Sequence, residues 1–256
     1  MCNLLDPAQT ARVIEQAQPE VIIHAQAMSD VDRCEREPEQ AHAQNVQTVT
    51  QLVQSLGLLR PLLIYVSTDY VFDGTKGSPY DETDSPHPIS VYGRSKVEGE
   101  RAALAYVRGM VVRSSTLFGA GRSNFCDMIV RGALEGGTVE AFIDQTTSPT
   151  FTDDLAEAIG DLIPALAAGR TGMPRIFHTA NAGGCTRLAF AHRVVDLLGR
   201  PRSCVRPIRM HEQQRPAQRP AYSALTTRVL PAIIGRTLRP WDEALEAYLR
   251  QRHWLS

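Results

Sequence analysis

The chain has 256 residues, of which 43% are hydrophobic and 21% charged, and its formal net charge is -1 at pH 7. This composition predicts an ordinary globular protein, and the dispersed basic residues argue against a nucleic-acid-binding surface. The longest apolar runs, such as residues 61–66, are far shorter than the ~20 residues of a membrane-spanning helix, and the N-terminal segment lacks a signal-peptide pattern. Five cysteines without metal-ligand spacing predict reduced thiols, so we expect a cytoplasmic protein with no metal site.

Short apolar runs alternate with helical patterns along the chain, which predicts a parallel sheet covered by helices. The predicted strands cover residues 21–24, 62–66, 110–113 and 176–178. The predicted helices cover residues 7–17, 38–56, 124–135, 152–168 and 241–251, with a further helix that carries Tyr92. Residues 73–88, rich in glycine and proline, predict a surface loop, and residues 201–220 predict an irregular segment.

Tyr92 and Lys96 lie four residues apart, so on a helix they share one face. A nearby cation stabilises a phenolate and lowers the pKa of the phenol from its usual value of ~10. The pair therefore predicts general acid–base chemistry with Tyr92 as the proton carrier. This spacing also arises by chance in many helices, so the interpretation depends on the residues that accompany it.

Three polar or small-residue segments follow directly after predicted strands, at residues 25–29, 67–70 and 113–116. Open parallel sheets bind ligands at the carboxyl ends of their strands, which makes all three candidate binding segments. Each has an alternative interpretation: a tight turn at 25–29, a helix cap or turn at 67–70, and a structural ion pair at Arg113.

Taken together, these segments resemble the extended short-chain dehydrogenase/reductases, and within them the dTDP-4-dehydrorhamnose reductase family. The resemblance is carried by residues 67–74 (Ser-Thr-Asp-Tyr-Val-Phe-Asp-Gly), Glu82, residues 92–96 (Tyr-Gly-Arg-Ser-Lys) and Gly99-Glu100, and it continues from Val31 to Leu225. It implies an α/β fold, a Rossmann-like doubly wound parallel sheet that lacks its first strands, with a smaller C-terminal substrate-binding region. Residues 1–180 would form the NAD(P)-binding domain, and residues 181–256 would be mainly substrate-binding and interleaved with the first.

The resemblance also implies a reaction: reduction of a nucleotide-activated 4-keto-sugar by NADPH or NADH, above all dTDP-4-dehydrorhamnose to dTDP-L-rhamnose. Tyr92 would donate the proton, Lys96 would lower the pKa of Tyr92 and bind the nicotinamide ribose, and Thr68 would hydrogen-bond the substrate carbonyl. The remaining implied contacts are to the cofactor from Asn3, Leu4, Gln26, Ala27, Ser29 and Asn45, and to the sugar from Asp69, Tyr70 and Ser115. Asn3, Met28 and Thr116 depart from the residues usual in the family.

The family opens with a strand, a glycine-rich loop and a helix, and nothing of that kind precedes Asn3. We therefore expect either a partial sequence or a start codon placed too far downstream. We also expect weak cofactor binding, and the residue that would set the preference for NAD or NADP lies in the missing part. Two other functions stay open: a sugar-nucleotide epimerase or dehydratase of the same superfamily, and a non-catalytic regulatory subunit like the β subunit of methionine adenosyltransferase. A homodimer also stays open.

Overall fold

The computed structural model describes residues 2–168 and 172–255. Its strands, numbered in chain order, are β1 Val21–His24, β2 Leu62–Thr68, β3 Gly109–Ser114, β4 Leu117–Phe118, β5 Val139–Phe142, β6 Thr146–Thr147, β7 Thr150–Phe151, β8 Ile176–His178, β9 Cys185–Thr186 and β10 Val205–Ile208. Its helices are α1 Pro7–Ala17, α2 Val31–Arg36, α3 Pro38–His42, α4 Thr48–Ser55, α5 Val91–Ala105, α6 Phe125–Leu134, α7 Thr152–Ala167, α8 Arg187–Leu197, α9 Val229–Ile234 and α10 Trp241–Gln251.

The main sheet is parallel and has the strand order β1-β2-β3-β8. In its register Val21 lies opposite Leu62, and Thr68 lies opposite Ser114. The apolar run from Leu62 to Tyr65 is fully buried, as expected for a central strand covered on both faces. The expected α/β fold with a parallel sheet is therefore confirmed.

Helices cover both faces of this sheet. Successive strand residues point to opposite sides, so each strand contributes side chains to the packing on both faces. On one face α1, α4 and α5 pack against Leu63, Tyr65 and Val111. On the other face α7 and α9 pack against Ile64 and Val112. A second core lies apart from the sheet and is formed mainly by α6, α8 and α10, through residues that include Phe118, Ile129, Phe190, Leu245 and Tyr248.

Two sequence predictions of secondary structure are wrong. The continuous helix predicted over 38–56 is divided by a π-helical turn at Ala43–Gln47, which separates α3 from α4. Residues 201–220 were predicted to be irregular, but they contain the strand β10, which includes a proline. Among the residues that the structure describes, β10 pairs with β5 alone, so Pro207 lies where its missing N–H is tolerated. Helices α2, α8 and α9 were not predicted.

Candidate active site

A cavity of about 560 Å³ opens at the carboxyl ends of β1, β2 and β3. The strand-end segments predicted from the sequence meet there, since its walls include Ala27 and Ser29 after β1, residues 68–70 at the end of β2, and Thr116 after β3. Helix α5 adds Tyr92 and Lys96 to the same wall. The three proposed catalytic residues, Thr68, Tyr92 and Lys96, therefore share one cavity.

The start of α5 is fixed at Ser90, whose side chain accepts a hydrogen bond from the backbone N–H of Gly93. Gly93 has no room for a side chain, because a Cβ there would lie 2.3 Å from the carbonyl oxygen of Tyr70. The close approach brings the rings of Tyr70 and Tyr92 edge to face, with centroids 5.9 Å apart. The glycine between Tyr92 and Arg94 thus seats the first turn of α5 against the end of β2.

Lys96 is buried, and its ammonium group donates a hydrogen bond to the carbonyl oxygen of Val66 at 2.8 Å. The same nitrogen lies 4.0 Å from the centre of the Tyr65 ring. Burial lowers the pKa of Lys96 to about 7, and the charge of Glu100 opposes that fall. Burial therefore disfavours the ammonium form of Lys96, whereas the charge of Glu100 favours it.

The pKa of Tyr92 is raised above its usual value, chiefly by burial, while a contact with the Thr68 hydroxyl opposes the rise. The charge of Asp69 raises it further. We expected Lys96 to lower this pKa, but burial of the phenol dominates the shift and its net direction is upward. The ammonium of Lys96 is held by Val66 and Tyr65, and enclosure of the phenol outweighs it. Tyr92 is consequently a protonated donor at pH 7.

Asp69 is 2% exposed, and both of its carboxylate oxygens accept hydrogen bonds. Thr68 donates to Oδ1 with Oγ1 at 3.1 Å, and Ser115 donates to Oδ2 at 2.8 Å. Ser223 also donates to Oδ2. Burial raises the pKa of Asp69 to about 6 against these hydrogen bonds. Ser115, predicted to contact the sugar, is therefore buried beneath Asp69 and does not form part of the cavity wall.

Four predicted cofactor contacts are not brought to the cavity. Asn45 is fully buried because the π-helical turn directs it inward, where Oδ1 accepts from the Met28 backbone at 2.7 Å and Nδ2 donates to Ser95 at 2.9 Å. Gln26 instead donates to Gln44. Asn3 and Leu4 lie in the segment before α1, away from the cavity wall.

Arg187 and Arg215 were not singled out by the sequence. Arg187 lies between the first cavity and a second one of about 670 Å³, whose wall also includes Arg215. The guanidinium carbon of Arg187 is 4.0 Å from the centre of the Phe125 ring, and that of Arg215 is 4.9 Å from the centre of the Phe142 ring. Burial lowers the pKa of each arginine, and the charge of Arg215 also lowers that of Arg187.

Neither guanidinium forms an ion pair with a carboxylate of residues 2–168 and 172–255. Two arginines that line one cavity without a direct ion pair form a suitable site for a bound anion. Sequence inspection could not find them, because their proximity depends on where α8 and the segment after β10 pack.

Within the part of the chain that the structure describes, no group of three or more His, Cys, Asp or Glu side chains could hold a metal ion. None of the helices described there is both long and apolar enough to cross a membrane.

The family of the RmlD substrate binding domain matches residues 1–253. The chain belongs to the dTDP-4-dehydrorhamnose reductase family. A relative with that name from Streptomyces griseus is 37% identical over 245 residues, which cover 95% of this chain and 80% of the relative. Another from Mycobacterium tuberculosis is 38% identical over 254 residues, covering 96% and 81% of the two chains.

A solved structure supports the membership of this family. The dTDP-4-dehydrorhamnose reductase of Bacillus anthracis, crystallised in complex with NADP, superimposes with a TM-score of 0.90 at 29% identity. The match covers 98% of this chain and 87% of that one.

Proposed function

We propose that this chain reduces the keto group of a nucleotide-activated 4-keto-sugar, dTDP-4-dehydrorhamnose, to form dTDP-L-rhamnose with NADPH or NADH as the reductant. The observation that carries the proposal is the meeting of Thr68, Tyr92 and Lys96 in one cavity at the carboxyl edge of a parallel sheet. The names of the family relatives and the NADP bound to one of them support the substrate and the cofactor.

The residues of the cavity fit a dinucleotide and a sugar. Ala25 and Ala27 line the wall after β1 with small side chains that leave room for a flat ring. Lys96 presents the hydrogen-bond donors that ribose hydroxyls accept, and Thr68 and Tyr92 present hydroxyls to a carbonyl oxygen. When bound, the nicotinamide supplies a hydride to the carbonyl carbon.

In the proposed reaction Tyr92 gives its proton to the carbonyl oxygen, and its raised pKa keeps that proton in place at neutral pH until it is needed. Thr68 contacts Tyr92 and accepts the backbone N–H of Tyr70 at 3.2 Å, which fixes its hydroxyl between the phenol and Asp69. Lys96, one helical turn beyond Tyr92, stabilises the phenolate that is left.

The diphosphate of the substrate is assigned to Arg187 and Arg215, because an anion would pair directly with two guanidinium groups whose positive charges burial disfavours. This places the sugar in the first cavity and the nucleoside in the second, which shares Asn124, Phe125 and Arg187 with it. In this proposal residues 1–180 bind the cofactor. Residues 181–256 bind the substrate together with parts of residues 1–180. The free thiols support a cytoplasmic site for this reaction.

The test is an assay of the purified chain with dTDP-4-dehydrorhamnose and NADPH, in which loss of NADPH absorbance is followed. We expect Tyr92→Phe to lower kcat by about 10²- to 10⁴-fold, the range for loss of a general acid. Tyr106→Phe is the matched control, since Tyr106 lies outside the cavity and its hydroxyl donates to the carbonyl of Pro61. Equal rates for wild type and Tyr92→Phe would remove Tyr92 from the mechanism.

The same assay separates the alternatives. A product that forms without net consumption of NADPH would identify an epimerase or dehydratase. Binding of the sugar nucleotide without any turnover, together with tight association with a synthetase, would identify a regulatory subunit.

A further inference from the structure

Glu100 and Arg113 form an ion pair in the interior of the molecule. The guanidinium Nε and Nη2 atoms of Arg113 donate to the two oxygens of Glu100 at 2.8 and 2.7 Å. The two side chains are 1% and 4% exposed, and Arg113 is among the largest fully buried side chains. Arg113 therefore forms the structural ion pair that the sequence analysis gave as its alternative interpretation.

Stability alone does not account for this pair. Removing two charges from water costs about as much as their attraction returns, so buried ion pairs often contribute little net stability. The Nη1 atom of Arg113 is also buried without a hydrogen-bond partner among the described residues, which adds a further cost. The effect of the pair on the position and charge of its neighbours is therefore of interest.

The location of the pair indicates its role. Glu100 lies one helical turn after Lys96 on α5, and Tyr92 lies one turn before it. The hydroxyl of Ser67, which precedes Thr68 on β2, donates to Glu100 at 2.6 Å. Ser67 faces Arg113 in the register of β2 and β3. One carboxylate therefore joins α5, β2 and β3 directly beneath the proposed catalytic residues.

We propose that the Glu100–Arg113 pair is a positioning element that keeps Lys96 charged and holds Thr68 in register with Tyr92. Its relevance to catalysis rests on the proposed function, whereas its effect on the charge of Lys96 does not. The elements packed around Lys96 carry the titratable or charged side chains His24, Tyr65, Tyr92, Glu100 and, behind Glu100, Arg113.

Among these groups, Glu100 supplies the negative charge that favours the ammonium form of Lys96. Burial and the charge of Lys96 lower the pKa of His24 to about 4, so this imidazole is neutral at pH 7 and does not compete for that role. The hydroxyls of Tyr65 and Tyr92 are also uncharged, because burial raises the pKa of each. Without Glu100, desolvation of the ammonium group would act on Lys96 unopposed.

The chain contains only two lysines, Lys76 and Lys96, which makes a direct test practical. Protein labelled with ¹³C-lysine, without added cofactor or substrate, is titrated by NMR, and the Lys76→Arg variant assigns the two signals. In Glu100→Gln we expect the titration midpoint of Lys96 to fall by about one pH unit or more, the size expected for a charge one helical turn away. The midpoint of Lys76, which pairs with Asp84, stays unchanged.

Two further variants make the result decisive. Glu98→Gln is the matched control, because Glu98 is an exposed carboxylate on the same helix that contacts His42, and we expect it to leave Lys96 unchanged. The double variant Glu100→Leu/Arg113→Met removes both buried charges together, so it avoids leaving Arg113 unpaired. It should lower the Lys96 midpoint by less than Glu100→Gln does, because Glu100→Gln also leaves the positive charge of Arg113 unpaired.

An unchanged Lys96 midpoint in a folded variant without Glu100 would overturn the proposal, as would failure of both variants to fold. The second result would make the pair a requirement for folding only. Because this titration needs no turnover, failure of the proposed reductase activity leaves its outcome readable. Where the activity is present, the alkaline limb of the kcat profile should move with Lys96.

Discussion

The hydroxyl of Ser223 donates a hydrogen bond to the carboxylate of Asp69, although the two residues are 154 positions apart in the chain. Ser115 donates to the same oxygen from the end of β3, and Thr68 donates to the other. The carboxylate thereby ties the ends of two strands to the C-terminal part of the chain. Burial raises the pKa of Asp69 from 3.8 to about 6, so this connection depends on pH.

Asp69→Asn should change stability in a pH-dependent way. The pKa of Asp69 is higher in the folded state, so the folded state binds more protons between pH 4 and 6, and stability falls as the pH rises through that window. Between pH 4 and pH 7.5 we therefore expect the wild type to lose about 1 to 3 kcal/mol of stability that the Asp69→Asn variant does not lose. Urea denaturation at pH 4 and pH 7.5 measures both values, and equal differences would contradict the assignment.

Gly99→Ala and Gly160→Ala should act in opposite directions. A Cβ at Gly99 would lie 2.2 Å from the Tyr65 hydroxyl and 2.5 Å from the Asn45 carbonyl oxygen, so α5 must move away from the sheet. We expect a loss of about 1 to 3 kcal/mol of stability. Gly160 in α7 has no neighbouring atom within 4 Å of such a Cβ, and alanine there should add about 0.5 to 1 kcal/mol.

Thermal unfolding of the two glycine variants provides the comparison. If Gly99→Ala were as stable as Gly160→Ala, the close packing of α5 on β2 would not be correct. Because Tyr92 and Lys96 lie on α5, we also expect Gly99→Ala to lower kcat.

Arg187→Leu should weaken binding of the nucleotide part of the substrate. A charged hydrogen bond to phosphate contributes about 1.5 to 3 kcal/mol, so the Kd for dTDP should rise by about 10- to 100-fold, while kcat changes little. Arg202→Leu is the control, because Arg202 pairs with Asp196 on the surface. Calorimetric titration with dTDP measures the Kd of both variants. An unchanged Kd in Arg187→Leu would mean that the diphosphate binds elsewhere.

Asn45→Ala should destabilise the protein without removing a residue of the cavity wall. It leaves the buried N–H of Met28 without an acceptor and removes a donor to Ser95, which costs about 2 to 3 kcal/mol. Because Met28 lies between Ala27 and Ser29, we also expect a higher KM for NADPH. Gln44→Ala, the adjacent control, loses a contact with Gln26 and should change stability by less than about 0.5 kcal/mol. Equal losses of stability in Asn45→Ala and Gln44→Ala would contradict the role proposed for Asn45.

The central strands β2 and β3 could be predicted from the sequence because they are largely buried on both faces and therefore read as apolar runs, whereas β1 lies at the edge of the sheet with Ile23 exposed. The strands predicted at 21–24 and 176–178 are confirmed at both ends. Helix α8 escaped prediction because Arg187, His192 and Arg193 interrupt its apolar residues, and its burial comes from the second core and not from a regular stripe.

The candidate site also contains some residues that could be predicted from the sequence and others that could not. Thr68, Tyr92 and Lys96 belong to short motifs whose spacing along β2 and α5 already implies proximity. The position of Arg215 depends on the packing of a long segment after β10, and no local pattern encodes it. The direction of the pKa shift at Tyr92 was also beyond prediction, since it depends on how completely the phenol is enclosed.

The π-helical turn at Ala43–Gln47 makes the length of this segment critical. A π-turn accommodates one residue more than an α-turn, so deleting one residue within it would allow a single regular helix from Pro38 to Ser55. Each residue of an α-helix advances by ~100°, so the deletion would rotate one half of the helix by that angle relative to the other. Asn45 and the apolar face of α4 could then no longer both point inward. A single-codon deletion here would therefore be far more damaging than any substitution among the exposed residues of the same turn.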